Sequence, residues 1–129
     1  MRIFKVRVFT RLARREGISD AALIQAVDEA ERGLIEADLG GGVIKQRVAR
    51  PGAGKSGGYR TLIAYRTDTR SVFLYVFAKS DLGNVGSDEL KTLKDIARYW
   101  LRASSEAIDR AVAEGKLQEV THDEDEKGN

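Results

Sequence analysis

The fold of this chain is decided by residues 43–78, which read VIKQRVARPGAGKSGGYRTLIAYRTDTRSVFLYVFA. Apolar side chains recur there with a period of two in three runs, residues 43–49, 59–66 and 71–78. Because each run is rich in Val, Ile, Tyr or Phe, we predict three β-strands. A glycine-rich segment and a turn at 67–70 link them, which favours an antiparallel meander.

Two patterns precede this stretch. Residues 2–9 alternate as a short strand, although residues 9–15 are also compatible with the start of a helix. Ser19 stands where an N-cap is expected, and apolar residues at helical spacing predict a helix from about 20 to 39. The glycines at 40–42 end that helix, because glycine readily adopts the left-handed conformation found at helix C-termini.

Helical patterns also follow the stretch. Ser87 is expected to cap one helix. Ser104 or Ser105 starts a second helix, and Gly115 ends it. Residues 116–120 predict a final short strand. The sum is an α+β fold, in which a small antiparallel sheet of three to five strands is packed by N-terminal and C-terminal helices.

Length and composition indicate one globular domain. The 129 residues suffice for a single modest core, and 42% hydrophobic with 33% charged residues is typical of such proteins. We expect one domain over residues 1–120 and a polar, acidic tail over 121–129. No apolar run approaches the roughly 20 residues that span a bilayer, and the alternating N-terminus differs from a signal peptide. We therefore expect a cytoplasmic protein without a membrane segment.

Positive charge is concentrated in the middle of the chain. Residues 43–80 hold eight Lys and Arg against one acid, Asp68, whereas residues 81–129 hold seven Lys and Arg against twelve Asp and Glu. Such a basic block attracts polyanions through counterion release and long-range steering. The alternative is a merely solvated charged face, but such faces usually mix both signs.

Two residue types that often carry chemistry are missing or badly placed. The chain has no cysteine, and its only histidine, His122, lies in the acidic tail. A thiolate metal site, a histidine zinc site and a histidine-based ribonuclease are therefore not expected. We predict no metal and no cofactor, so any RNA cleavage must depend on lysine, arginine or tyrosine.

The segment from Ala49 to Ser56 superficially matches a phosphate-binding P-loop. The first glycine of that motif is replaced by Ala49, and the segment leads into Gly57-Gly58 and a β-rich run instead of a helix. We interpret it as a cationic hairpin tip, on which Arg50 and Lys55 contact a nucleic-acid backbone. The alternative is a long hairpin loop that has no function of its own.

The strand faces bring candidate catalytic residues together. Lys45 and Arg47 share one face of the first strand of the meander, opposite Ile44 and Val48. RNA cleavage by an internal 2′-hydroxyl needs a base, neutralisation of the phosphate charge and a proton donor. A lysine surrounded by other cations has a lowered pKa and can act as the base, and arginine binds phosphate oxygens through two hydrogen bonds. The predicted catalytic set is completed by two residues at the ends of the other strands, Arg60 and Lys79.

Three aromatic residues, Phe73, Tyr75 and Phe77, alternate along the third strand of the meander. Such a row either stacks on RNA bases or packs against a helix. We favour a role in the core.

The motifs in residues 44–66 and in Phe73-Leu-Tyr-Val-Phe-Ala-Lys79 resemble RelE/HigB-type toxins of type II toxin–antitoxin systems. The closest likeness is to the branch with a Lys-x-Arg strand, a Gly-x-Gly-Lys-Ser-Gly-Gly-x-Arg hairpin and a Phe-Ala-Lys strand end. The resemblance extends from the first strand to at least Glu89–Leu101. It implies a ribosome-dependent endoribonuclease that cuts messenger RNA.

The resemblance also implies residue roles. Lys45 and Arg47 match a base and a phosphate ligand, Arg60 matches a residue that stabilises the transition state, and Lys79 matches the basic residue ending the next strand. We predict further RNA contacts from Arg50, Lys55, Tyr59 and Arg66. The family pattern places a tyrosine as general acid a few residues after the position of Lys79, but this chain has none before Tyr99.

Partners follow from the same resemblance. We expect three partners: a cognate antitoxin with a helix-turn-helix DNA-binding domain, the ribosome, and messenger RNA. The toxin is expected to reach operator DNA only through the antitoxin. Two alternatives stay open: a ParE-type toxin that inhibits DNA gyrase without cutting RNA, and a non-enzymatic RNA- or ribosome-binding module.

Overall fold

The structure is a computed structural model, and it describes residues 1–49, 58–67, 69–78 and 85–121. These residues form six strands and four helices. In chain order the elements are β1 (Arg2–Val6), α1 (Arg7–Glu16), α2 (Asp20–Glu31), β2 (Ala37–Gly40), β3 (Val43–Val48), β4 (Tyr59–Arg66), β5 (Arg70–Ala78), α3 (Ser87–Arg102), α4 (Ser105–Ala113) and β6 (Leu117–Val120).

The strands form one mixed sheet with the order β2-β3-β4-β5-β1-β6. The predicted antiparallel meander is confirmed as β3-β4-β5. β1 lies between β5 and β6, parallel to β5 and antiparallel to β6, so that Phe4 is opposite Val72 on one side and Glu119 on the other. The α+β class is therefore confirmed, but the sheet has six strands instead of three to five, and one strand pair is parallel.

The extra strand β2 comes from a segment that we predicted as helix. The predicted helix from 20 to 39 ends at Glu31, and Gly33 then adopts a left-handed φ of 83°. Ala37–Gly40 pairs with β3 instead. Pairing at the sheet edge satisfies the backbone N–H and C=O groups of this segment, so it forms a strand although its apolar residues have helical spacing. The glycines at 40–42 therefore make the turn from β2 to β3 and do not end a helix.

The N-terminal prediction is also corrected. The strand predicted over 2–9 stops at Val6, and α1 begins at the next residue. The predicted helix starts agree more closely with the structure. The hydroxyl groups of Ser19 and Ser104 each accept a hydrogen bond from the backbone N–H three residues later, as N-caps do. For α3 the N-cap is Gly86, one residue before the expected Ser87.

The sheet separates two apolar cores. α1 and α2 pack on one face, where Phe9 and Leu23 join Phe73 of β5. The rings of Phe9 and Phe73 are 5.1 Å apart. α3 and α4 pack on the other face through Ala97 and Ile108. None of the helices in the described ranges is both long and apolar enough to cross a bilayer.

Arg70 attaches the end of α3 to the sheet. Its Nη1 atom donates to the carbonyl oxygens of Trp100 at 2.8 Å and Ala103 at 2.7 Å. Burial, reinforced by the positive charges of Arg2 and Arg66, lowers the pKa of Arg70 below its usual value. A cation at a helix C-terminus is stabilised by the helix dipole, so Arg70 fixes where α3 covers the sheet.

Candidate active site

The face of the sheet covered by α3 and α4 changes from apolar to cationic along β3 and β4. At one end Val43 lies opposite Ala64, and both are buried in the core to which α3 contributes. Further along the same face are Lys45, then Arg47 opposite Arg60. Cross-strand partners share a face, so three cationic side chains cluster where the apolar contacts end.

The sheet face that carries these cations continues onto β5, and its residues form two rows across β3, β4 and β5. The first row is Arg47, Arg60 and Phe77, and the second is Lys45, Leu62 and Tyr75. The side chains of Lys45 and Arg60 are only 22% and 14% exposed, so both are partly shielded from water. Charges held in such a place attract an anion more strongly than charges in open solvent do.

A carboxylate that our sequence analysis missed lies among these cations. Oε2 of Glu36 is 3.0 Å from Nε of Arg60 and 3.8 Å from Nζ of Lys45. One acid therefore joins residues from two strands and offsets part of their repulsion. Glu36 was missed because we placed it in the predicted helix; recognising the hairpin of β2 and β3 would have brought it beside Lys45.

Glu36 is held in position by a buried glutamine on the opposite face of β3. Nε2 of Gln46 donates to the carbonyl oxygens of Leu34 at 2.9 Å and Ala26 at 3.1 Å. Its Oε1 accepts from the backbone N–H of Glu36 at 3.1 Å. Gln46 is 2% exposed, so these bonds form in a dry environment where they order the chain strongly.

Arg60 retains unused hydrogen-bonding capacity. Its Nη1 atom is buried and has no hydrogen-bond partner in the part of the chain that the structure describes, although its Nε is bound to Glu36. Buried donors are nearly always paired, and an exception points to strain, function or an unseen partner. A phosphate oxygen is one partner that would satisfy this nitrogen.

The close approach of Arg47 to the start of β4 requires a glycine. A Cβ atom at position 58 would lie 2.7 Å from the carbonyl oxygen of Val48 and 3.1 Å from Nε of Arg47. Gly58 is buried, and the nearer of these atoms is backbone that cannot easily move. The last glycine before Tyr59 therefore leaves room for the Arg47 side chain.

The aromatic row divides between the two faces of the sheet. Phe73 is buried on the side of α1, and Phe77 is buried on the side of α3, so both belong to the core as expected. A bulge at Leu74 shifts the alternation, because Leu62 pairs with Tyr75 whereas Ile63 pairs with Phe73. Tyr75 is consequently 37% exposed, with its ring 6.1 Å from that of Phe77 on the cationic face.

Two predicted RNA contacts lie away from this cluster. Tyr59 is buried on the opposite face, where its hydroxyl donates to Oε1 of Glu16 at 2.8 Å. Arg66 is at the far end of β4 from Arg60, and its Nη1 donates to the carbonyl oxygen of Leu101 at 3.3 Å. The structure does not bring either residue beside Lys45.

The remaining predicted site residues, Arg50, Lys55 and Lys79, lie outside the described residues. The same holds for His122 and for nearly all of the predicted tail. Of the predicted catalytic set, Lys45, Arg47 and Arg60 are therefore the three that the structure brings together.

A family model described as the RelE toxin of the RelE/RelB toxin–antitoxin system matches residues 1–120. The chain belongs to the RelE toxin family. It is therefore a toxin of a toxin–antitoxin system, and a cognate antitoxin is its partner. A search of curated proteins found no match.

In this RelE-type toxin the matched region contains every described helix and strand, from β1 to β6. The cationic cluster of Lys45, Arg47 and Arg60 on β3 and β4 thus lies within the family's own fold. This makes the cluster the candidate active site of the toxin.

Proposed function

We propose that this RelE-type toxin is a ribosome-dependent endoribonuclease that cuts messenger RNA and thereby stops translation. The observation that carries the proposal is the row of Arg47 and Arg60 beside Lys45, in which one buried guanidinium nitrogen of Arg60 has no hydrogen-bond partner within the described ranges. A face on which cations outnumber the acid Glu36 among the described residues is suited to a phosphodiester, which brings negative charge and phosphate oxygens.

The proposed reaction uses the RNA's own 2′-hydroxyl. Lys45 in its neutral form accepts the 2′-hydroxyl proton, and the oxygen attacks the adjacent phosphorus. Arg47 and Arg60 bind the non-bridging oxygens, where negative charge increases in the transition state. The bond from phosphorus to the 5′-oxygen breaks, which leaves a 2′,3′-cyclic phosphate and, after proton transfer, a 5′-hydroxyl end.

The leaving 5′-oxygen needs a proton, and Tyr75 is our proposed donor. It is partly exposed on the same face, in the row of Lys45 and Leu62. A phenol can donate a proton, and its ring can also stack on an unpaired base. Tyr75 would thus serve as the general acid in place of the tyrosine that the family pattern has a few residues after Lys79 and that this chain lacks.

Glu36 and Lys79 have supporting parts in the proposal. Glu36 positions Arg60 and Lys45 through its contacts of 3.0 and 3.8 Å. Lys79, at the end of the motif on β5, adds a further phosphate ligand, and Arg50 and Lys55 contact the message next to the cut. We further propose that the toxin acts in the cytoplasm, without metal or cofactor, and that a helix-turn-helix antitoxin links it to operator DNA.

The decisive experiment adds the purified toxin to a cell-free translation reaction programmed with a single message. We expect discrete new 5′ ends, mapped by primer extension, only when the message is translated. Lys45→Ala and Arg60→Ala should each slow cutting by at least roughly a hundredfold, because each removes a group that acts in the transition state.

A matched control is Lys91→Ala, which removes an exposed cation from α3 and should leave cutting unchanged. Each variant's urea unfolding midpoint shows whether it is folded. Blocked translation with intact messages would overturn the proposal. Accumulation of cleaved DNA in the presence of gyrase would favour a gyrase inhibitor, and salt-sensitive ribosome binding without cutting would favour a plain binding module.

A further inference from the structure

A second cationic surface lies at the β6 edge of the sheet, between α1 and α4. A groove of about 660 Å³ runs there, with Arg7, Arg11 and Arg14 of α1 on one wall and Val112 and Leu117 on the other. β6 is separated from β4 by β5 and β1, three strand spacings or roughly 14 Å. This arginine groove is therefore distinct from the candidate active site.

The three arginines form a line. Residues four and seven positions apart lie on one face of a helix. With a rise of about 1.5 Å per residue, Arg11 is roughly 6 Å along the axis from Arg7, and Arg14 is roughly 10 Å from it. All three are exposed, whereas the other face of α1 is buried through Phe9 and Ala13.

This positive charge is not neutralised within the described ranges. The guanidinium groups of Arg11 and Arg14 have no ion-pair partner among the carboxylates of residues 1–49, 58–67, 69–78 and 85–121. The acid that lines the groove, Glu119, is already bound by Arg2 through two hydrogen bonds of 3.0 Å. Among the described residues, the side chain of Arg7 donates to the carbonyl oxygen of Gly115, at 3.3 Å.

The arrangement works against the stability of α1. Like charges four residues apart destabilise a helix by a few tenths of a kcal/mol per pair. The first turn of α1 contains no acid, and Arg7 stands there against the helix dipole, whereas the dipole favours Arg14 in the last turn. A line of like charges that repel one another and have no ion-pair partner in the described fold is a candidate for binding an external anion.

We propose that Arg7, Arg11 and Arg14 bind the phosphate backbone of a structured RNA segment other than the strand at the active site. A nucleic-acid backbone carries one charge per nucleotide in a continuous line, so it can occupy three guanidinium groups in a row. Arginine matches phosphate through two parallel hydrogen bonds, and double-stranded RNA is recognised largely through its phosphates and 2′-hydroxyls. Such binding goes beyond the proposed cleavage and does not depend on it.

The test uses the full-length toxin and a fluorescein-labelled RNA duplex of 20 base pairs, with binding followed by fluorescence anisotropy across a salt series. In the double variant Arg11→Ala/Arg14→Ala we expect weaker binding. The slope of log K against log salt concentration should fall by about two, since each lost phosphate contact lowers it by about 0.9. The variant Arg11→Lys/Arg14→Lys should retain the slope, because it retains both charges.

The matched control is Lys91→Ala/Arg102→Ala, which removes the same charge from α3 and should leave the slope close to that of the wild type. The proposal is overturned if Arg11→Ala/Arg14→Ala keeps the wild-type slope, or if the control lowers it equally. It is also overturned if the α1 variant loses affinity for a labelled polyglutamate peptide but not for RNA, since the groove would then bind an acidic protein. Cutting of messages is assayed separately, so failure of the cleavage proposal would not imitate any of these results.

Discussion

Among single side chains, Glu36 gives the candidate active site its particular character. Three cations on neighbouring strands repel one another, and like charges directly across a sheet are destabilising. The contact of Glu36 with Arg60 offsets that repulsion on one side, and Nη1 of Arg60 has no hydrogen-bond partner among the described residues. With Lys45 neutral, as the proposed base must be, Arg47 and Arg60 still outweigh Glu36 by one positive charge, which is suited to a phosphodiester.

The proposed role of Tyr75 gives a prediction about a single hydroxyl group. Tyr75→Phe retains the ring but removes the proton donor, so the rate of cutting should fall by roughly 10²- to 10⁴-fold while affinity for the message changes little. Single-turnover cleavage of ribosome-bound message measures the rate, and the dependence of that rate on toxin concentration measures affinity.

Tyr99→Phe is the matched control, because Tyr99 is 66% exposed on α3 and should tolerate loss of its hydroxyl. Wild-type rates for Tyr75→Phe would assign the proton transfer to another group. A loss of affinity without a loss of rate would instead indicate that Tyr75 only stacks on a base.

At the level of one strand, β3 combines an exposed chemical face with a buried structural one. Lys45 and Arg47 point to the candidate active site, while Ile44, Gln46 and Val48 point into the core beneath α2. Gln46 is polar in that core because it satisfies the backbone of the segment that leads into β2. The same strand therefore supplies site residues and holds Glu36 beside them.

This arrangement predicts the effect of Gln46→Leu. The substitution leaves the carbonyl oxygens of Ala26 and Leu34 and the N–H of Glu36 without their partner. The free energy of unfolding should fall by about 1–3 kcal/mol, the cost of leaving buried polar groups unpaired. Urea denaturation followed by circular dichroism measures it.

Gln25→Leu, the same change on the exposed side of α2, serves as the comparison and should shift stability by less than about 0.5 kcal/mol. If both variants unfolded at the wild-type urea concentration, the hydrogen bonds of Gln46 would contribute nothing measurable to stability.

On the scale of the whole described fold, the first and the last described strands lie side by side in the sheet. β1 and β6 pair with each other, and Leu117 and Val120 of β6 belong to opposite cores. The last described strand is thus a structural part of both cores. This supports the proposal that the domain extends to about residue 120.

Shortening the chain to end at Thr121 tests that boundary. The free energy of unfolding should stay within about 0.5 kcal/mol of the wild-type value, because every described core residue is retained. Leu117→Ala, by contrast, should cost about 2–5 kcal/mol, since it leaves a cavity in the core beneath α4. Urea unfolding of both proteins measures the difference, and an equally large loss in the shortened chain would place the boundary beyond residue 121.

Local patterns predicted much of this fold. β3 was visible because charged and apolar side chains alternate along it, and β4 and β5 were visible because they are rich in β-branched and aromatic residues. The caps at Ser19 and Ser104 were visible because few residue types serve that purpose. The alternation along β3 correctly placed Lys45 and Arg47 on one face. The mixed sheet was not predicted, because the pairing of β1 with β5 joins residues about 68 positions apart and has no local pattern.

The sequence thus indicated which residue types the site would use. Which residues actually lie together in the site could be seen only in the folded chain. The sequence, with no cysteine and its one histidine in the predicted tail, already indicated that any RNA cleavage would depend on lysine, arginine or tyrosine, and the family resemblance implied such cleavage. Only the tertiary structure added Glu36, turned Tyr75 onto the cationic face and moved Tyr59 and Arg66 away from it. The reason is physical: strand pairing and a bulge determine which face a side chain occupies, and both depend on hydrogen bonds to strands that are distant in sequence.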